Sequence, residues 1–257
     1  MDLQLRGKRA LITGASRGIG AGVAEALAEE GCDLELAARS EADLRQLAST
    51  LAARHGVQVR VHVADLTRPE ECAQLVRSAG SLDILVNNAG AIPQGRLQDI
   101  DDQAWRSAWE LKVFGFLNVT RQAFKDMCER GGGVIVNVIG IAGERPVPNY
   151  VAGSMANAGL MAMTRALGVE GIARGVRVVG VNPGAIETTR QTTRWKARAL
   201  KELGEENRWR ELVAGFPRGR LGQVREVADT VAFLASDRSS YTNATIVTVD
   251  GGWTGMQ

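Results

Sequence analysis

The chain has 257 residues, enough for one α/β domain with a large core and little room for a second. Hydrophobic residues make up 45% and charged residues 23%, as in ordinary soluble globular proteins, and a net charge of +2 is too small to point to nucleic acid. Cys32, Cys72 and Cys128 are odd in number and far apart, which argues against a disulfide framework or a metal cluster. Free thiols in a reducing cytoplasm are the expectation, and no metal site is expected. Met1 to Arg6 has no long apolar run, so no secretion signal is expected, and no stretch reaches the about 18 apolar residues of a membrane span.

Short apolar runs alternate with amphipathic helical stretches along the whole chain. Strands are predicted at Arg9–Thr13, Asp33–Ala37, Val57–Val63, Ile84–Val86, Gly133–Val138, Val176–Val181 and Ile246–Val249. Helices are predicted at Ile19–Glu30, Glu41–His55, Pro69–Ala79, Asp102–Arg130 and Val151–Arg174. Strict alternation with near-continuous hydrophobic strands predicts a parallel, doubly wound sheet covered by helices on both faces, in a single domain over 1–257. No linker or repeat divides it. The one shift in composition is Thr188 to Phe216, an insertion before the last helix and strand, rich in arginine and lysine and carrying Trp195 and Trp209.

Thr13-Gly14-Ala15-Ser16-Arg17-Gly18-Ile19-Gly20 joins the first strand to the first helix. Glycines allow a tight turn and a close approach of the backbone to a pyrophosphate, whose charge is favoured at a helix N-terminus. Between a strand and a helix this pattern is a strong signal for a dinucleotide site. The second strand ends Ala37-Ala38-Arg39-Ser40, so Ala38 stands where an NAD site usually carries an acid for the 2′-hydroxyl. Arg39, joined by Arg17 from the loop, suits a 2′-phosphate, and NADP(H) is expected over NAD(H). The plainer alternative for Arg39 is a solvated surface residue.

The Gly-x-x-x-Gly-x-Gly spacing resembles that of the short-chain dehydrogenase/reductase family, and the resemblance extends over almost the whole chain. Asp65-Leu66 is similar to the family's adenine-contacting pair, and Asn87-Asn88-Ala89-Gly90 to its signature after the fourth strand. Asn182-Pro183-Gly184-Ala185-Ile186-Glu187-Thr188 resembles the segment that covers the nicotinamide, and Arg220 to Gly252 its C-terminal tail. The resemblance implies a Rossmann-like fold and a cofactor site of Gly14, Ser16, Arg17, Gly18, Ile19, Gly20, Arg39, Asp65, Leu66, Asn88, Ala89, Gly90, Pro183, Gly184, Ile186 and Thr188. Several of these have a second reading. Asp65 suits a strand-end cap, Pro183-Gly184 a plain turn and Thr188 a helix cap, while Asn87 reads as a structural bridge between strand and helix.

The family's catalytic Asn, Ser, Tyr and Lys are absent. The aligned positions carry Lys112, Gly140, Gly153 and Asn157. Tyr150 lies one turn before Gly153, about 4.5 Å along the axis. One reading keeps catalysis, with Tyr150 and Lys112 as a rearranged phenol–ammonium pair and Ser154 or Asn157 orienting the substrate oxygen. A phenol of pKa ~10 needs such a cation to act near neutrality. The other reading has Tyr150 packing the loop and Lys112 on a helix surface or interface. The basic insertion suggests an anionic substrate, a solvated amphipathic helix pair being the plainer account, with Trp195 and Trp209 covering substrate or anchoring the insertion. Trp105 and Trp109 suit an oligomer contact, and the family resemblance implies a homotetramer.

The expected function is therefore an NADP(H)-dependent oxidoreductase acting on an alcohol/carbonyl pair in the cytoplasm. A catalytically silent dinucleotide-binding protein of the same fold is the alternative, and a non-redox reaction such as elimination a third.

Overall fold

A computed structural model describes residues 2–256; Met1, part of the N-terminal segment read above, and Gln257 lie outside the described residues. Seven strands form one parallel sheet: β1 Arg9–Thr13, β2 Asp33–Ala38, β3 Val59–Val63, β4 Ile84–Asn87, β5 Gly133–Val138, β6 Val176–Pro183 and β7 Ile246–Val249. Their order across the sheet is β3-β2-β1-β4-β5-β6-β7. The winding therefore reverses between β1 and β4, and a crevice opens at the carboxyl ends of those strands.

Helices cover both faces, as the doubly buried strands require. On one face α1 (Gly18–Glu29), α2 (Glu41–His55) and α9 (Val224–Ala235) supply Val23, Leu27, Leu44, Leu51, Val227 and Val231 to a core with Ile12, Leu34, Leu36 and Val86. On the other, α3 (Pro69–Ala79) and α5 (Gly115–Arg130) supply Cys72, Leu75, Val119, Ala123 and Met127, packed on Leu11, Leu85, Ile135 and Val178. Cys32 and Cys72 are buried free thiols, and Cys128 is a partly buried one. No helix among the described residues is long and apolar enough to cross a membrane.

The helix expected over Asp102–Arg130 is interrupted. Helix α4 (Asp102–Trp109) passes into α5 through a π turn, Glu110–Phe114, in which the Gly115 amide donates to the Glu110 carbonyl. One turn thus holds an extra residue, and apolar periodicity alone cannot register such an insertion. Lys112 sits inside this turn and is buried. Helix α6 (Val151–Gly171) ends earlier than expected, in a 3-10 turn over Ile172–Arg174. The basic insertion forms α7 (Thr189–Leu203) and the short α8 (Trp209–Leu212) around their own small core. Trp209 is buried there with Ala199, Val213 and Leu221, and Trp195 packs edge-on to Phe216. Both tryptophans anchor the insertion.

A buried relay of amides and hydroxyls locks the helices to the sheet. Asn87 Nδ2 donates to Thr120 Oγ1 (2.8 Å) and Asn137 Oδ1 (2.9 Å), Asn137 Nδ2 donates to Thr164 Oγ1 (2.9 Å), and that hydroxyl donates to the Leu160 carbonyl. Asn87 is thus the structural bridge expected, joining β4, β5, α5 and through Asn137 α6.

The β1–α1 loop is held as tightly. Asn88 Nδ2 donates to the carbonyls of Thr13 (3.1 Å) and Gly14 (3.2 Å), while Thr13 Oγ1 accepts from the amides of Asn88 and Ala89. A Cβ on Gly20 would lie 2.2 Å from the Gly14 carbonyl oxygen and 2.6 Å from Asn88 Nδ2. The neighbouring atom is backbone and cannot swing aside. Gly20→Ala is therefore expected to cost on the order of 1–3 kcal/mol, as overpacking of rigid sites does. A denaturant titration checks this, and a loss below about 0.5 kcal/mol would show that the loop relaxes freely.

Candidate active site

A cavity of about 820 Å³ opens at the switch point, floored by the carboxyl ends of β1, β4 and β5 and walled by the start of α7. All the expected cofactor residues line it except Gly20 and Asp65. Gly20 acts from behind, by letting α1 pass close under the loop. The Asp65 carboxylate accepts from the Thr67 amide (3.1 Å) and hydroxyl (2.9 Å) and so caps the end of β3. The Thr67 amide, with Arg39 and Arg68 nearby, holds this carboxyl below the usual range. Of its two readings, the strand-end cap is the one seen. Thr188 is a helix cap. Its hydroxyl caps α7 by accepting from the Gln191 amide, and the residue also lines the cavity.

These residues fit a dinucleotide. Helix α1 starts without a side-chain cap and without an acid in its first turn, so its leading N–H groups have no side-chain acceptor. Such an end attracts a phosphate. Gly14 and Gly18 adopt positive φ, +64° and +59°, which turns the loop and keeps side chains out of the phosphate path. Arg17, Arg39 and Ser40 stand beside it.

Tyr150, Lys112, Asn157 and Gly140 meet on the same cavity wall. Tyr150 is the residue just before α6, with φ −145° and ψ 38°, and its ring folds back over Gly153. A Cβ at Gly153 would lie 2.1 Å from Tyr150 Cε1 and 2.2 Å from Cζ. The ring thus fills the volume through which a side chain at 153 would leave the helix. Around it pack Ile92, Trp105, Trp109 and Ala152, and the Trp109 indole donates to the Ala152 carbonyl (3.1 Å). Trp105 and Trp109 therefore help to hold the ring from within the chain.

Lys112 shares the cavity with Tyr150, but no hydrogen bond joins them. Its ammonium donates to the Val138 carbonyl at 2.9 Å and lies 4.4 Å from the centre of the Phe116 ring. Burial, with Arg190 adding repulsion, pushes its pKa down to about 7. Gly90 makes room for its stem, since a Cβ there would sit 2.5 Å from Lys112 Cδ. The cations that bear on the phenol are Arg194 and Arg190. Burial raises the Tyr150 pKa, and these two guanidinium groups oppose the rise. Of the two readings of Tyr150 and Lys112, no hydrogen bond supports the phenol–ammonium pair, and the charges that act on the phenol are the two arginines.

Asn157 donates to the Gly140 carbonyl (3.2 Å) and faces the cavity. Ser154 does not line it. Its Oγ accepts from the Val147 amide (3.2 Å), so it ties down the loop before Tyr150 instead of orienting a substrate oxygen. One turn of α6 separates an inward face from a face against the loop, which sequence spacing cannot distinguish. Arg190 and Arg194 were visible only as members of a basic stretch. Their i, i+4 spacing behind the cap Thr188 is the signal that places both on one face of α7. Among the described residues no Asp, Glu or His lines the cavity, whose charged side chains are Arg17, Arg39, Lys112, Arg190 and Arg194.

The lowered Lys112 pKa sets a pH dependence. Unfolded, the amine holds its proton up to its ordinary value of 10.5; folded, it releases it near 7. Between those values the unfolded chain binds more protons, so the burden of this residue on stability is full below pH 7 and is relieved as pH rises toward 10.5. Lys112→Met is expected to change stability more favourably at pH 6 than at pH 9, and melting curves at the two pH values check it. An equal effect at both would show that the amine titrates normally.

The model of the enoyl-(acyl carrier protein) reductase family matches residues 14–254. A 2-keto-3-deoxy-L-fuconate dehydrogenase from Xanthomonas campestris pv. campestris is 33% identical over 255 residues, covering 98% of this chain and 82% of that protein. A 3-oxoacyl-[acyl-carrier-protein] reductase from Escherichia coli is 34% identical over 254 residues, covering 97% and 98%. The structure of L-sorbose reductase from Gluconobacter frateurii, complexed with NADPH and L-sorbose, superposes with a TM-score of 0.94 at 32% identity and full coverage of both chains. With its parallel sheet, glycine loop and cavity at the switch point, the chain belongs to the short-chain dehydrogenase/reductase family of nicotinamide-dependent oxidoreductases.

Proposed function

We propose that the chain is an NADP(H)-dependent oxidoreductase that interconverts a carbonyl compound and an alcohol through a rearranged site, with Tyr150 as the proton donor. The observation that carries this reading is the Tyr150 ring lying over Gly153 in the cavity that the glycine loop also lines. The chain keeps a phenol at this wall although the aligned position has lost its side chain.

The cofactor, when bound, supplies or accepts the hydride. The chain's own residues do the rest. Amides at the start of α1 and the turn at Gly14 hold the pyrophosphate, and Arg39 with Arg17 pairs with a 2′-phosphate. Burial keeps the Tyr150 phenol protonated at neutral pH, which equips it to give a proton to a carbonyl oxygen and makes it a poor base. Arg190 and Arg194 stabilise the phenolate left behind. Lys112, titrating near neutrality, adds a cation to the same wall, and Asn157 presents its amide there. A cavity with five cationic side chains and no acidic one among the described residues suits an anionic substrate.

The reading of a silent dinucleotide-binding protein draws on a specific observation too: the phenol has no hydrogen-bonded cation, and its pKa is raised. Substitution separates the two. Tyr150→Phe is expected to lower kcat for carbonyl reduction by at least about 100-fold, the usual contribution of a general acid, while NADPH binding stays within about twofold. Gly153→Ala drives the ring out of its seat and is expected to lower kcat by at least about tenfold, since displacing a positioned catalytic group is costly. Unchanged turnover in both variants would remove Tyr150 from the chemistry.

Cofactor choice is tested separately. Arg39→Ala is expected to weaken NADPH binding by about tenfold or more and NADH binding little, as loss of a charge-assisted bond to one phosphate implies. Tighter binding of NADH than of NADPH by the unaltered protein would overturn the assignment.

A further inference from the structure

We infer that Arg190 and Arg194 form a two-guanidinium clamp for a carboxylate carried by the carbonyl substrate, an inference that rests on the oxidoreductase reading above and names the substrate class of its site.

The other arginines of the insertion are paired. Arg198 pairs with Glu202 (2.8 Å), Arg208 with Glu211 (2.8 Å) and Arg210 with Glu187 (3.9 Å). Arg190 and Arg194 have no acidic partner among the described residues, and both point into a cavity that no acidic side chain lines. They sit at i and i+4 in the first turns of α7, one face of one helix, where like charges repel. The repulsion is felt, since after burial Arg194 is the largest influence disfavouring the protonated form of Arg190. A helix that sets two unpaired guanidinium groups side by side over a cavity carries a standing cost that an anion between them relieves. Guanidinium forks match a carboxylate bidentately.

Their position identifies which anion. Arg190 Nη1 donates to the Gly90 carbonyl (3.2 Å), and both Arg17 and Tyr150 act on its charge. Arg194 bears on the phenol together with Arg190. The cofactor phosphates have the α1 amides, Arg17 and Arg39. Arg190 and Arg194 line the cavity that Tyr150 also lines, where a carbonyl would come to accept its proton. A substrate carboxylate held there places the carbonyl within the same wall. L-Sorbose, bound by the similar L-sorbose reductase, carries no charge; the lining of this cavity, not that likeness, points to an acid.

The test is calorimetric, on the full chain saturated with NADP⁺. The probes are two acid–neutral pairs, D-gluconate with D-glucitol and acetoacetate with ethyl acetoacetate. At least one acid is expected to bind tenfold or more tightly than its neutral partner. Arg194→Gln and Arg190→Gln are each expected to remove most of that margin, with NADP⁺ affinity within about threefold in Arg194→Gln. No margin for either pair in the unaltered protein, or a margin that survives both substitutions, overturns the clamp. So does a loss confined to NADP⁺ affinity, which would assign the arginines to the cofactor. Turnover of a wider set of carbonyls with NADPH is measured alongside. Absence of any turnover with the margin intact sinks the oxidoreductase reading and leaves the clamp standing.

Discussion

Everything at this site depends on the uncapped start of α1. The amides of its first turn have no side-chain acceptor, and the loop ahead of them is pinned by Asn88 and Thr13 into a shape with no freedom to fold over them. Donors held open in this way are a fixed electrostatic demand for an anion. The reversal of winding between β1 and β4 puts that demand at the mouth of a crevice, and the remaining cations of the cavity extend it toward Tyr150.

A second constraint is steric. Gly153, Gly140 and Gly90 are the places where side chains are missing, and each is answered by a neighbour. Tyr150 covers Gly153, Asn157 reaches the Gly140 carbonyl, and the Lys112 stem passes over Gly90. The space at each glycine is thus filled by a neighbour. The charged side chains of the wall are cationic. Two guanidinium groups act on the phenol, and the buried Lys112 is held on the Val138 carbonyl with its proton loosely bound. The consequence is a buried, protonated phenol in a cavity whose charged lining is cationic.

The Asn87–Asn137–Thr164 relay explains why such a wall can stay ordered without the family's usual side chains. It fixes β4, β5, α5 and α6 to one another by buried hydrogen bonds, whose rupture would leave polar groups unpaired in the core. Ser154 and Trp109 add ties to the loop and to the first turn of α6. These two ties flank Tyr150 in the chain.

Alternation of apolar runs with amphipathic helices was enough to determine the layered parallel sheet, because doubly buried strands must be apolar throughout and their crossovers must be helical. The strand-to-helix glycine loop likewise determined the dinucleotide site, since its requirements are local in the chain. The partners of Tyr150 were not legible, because charge contacts across a cavity depend on where α7 lies over β4 and β5, and no local pattern encodes that. Spacing likewise could not turn Ser154 toward the loop, show that Asp65 caps its own strand, or find the π turn that buries Lys112. Those outcomes follow from how distant elements pack, where a shift of one residue changes which face a side chain joins, and only the tertiary structure decided them.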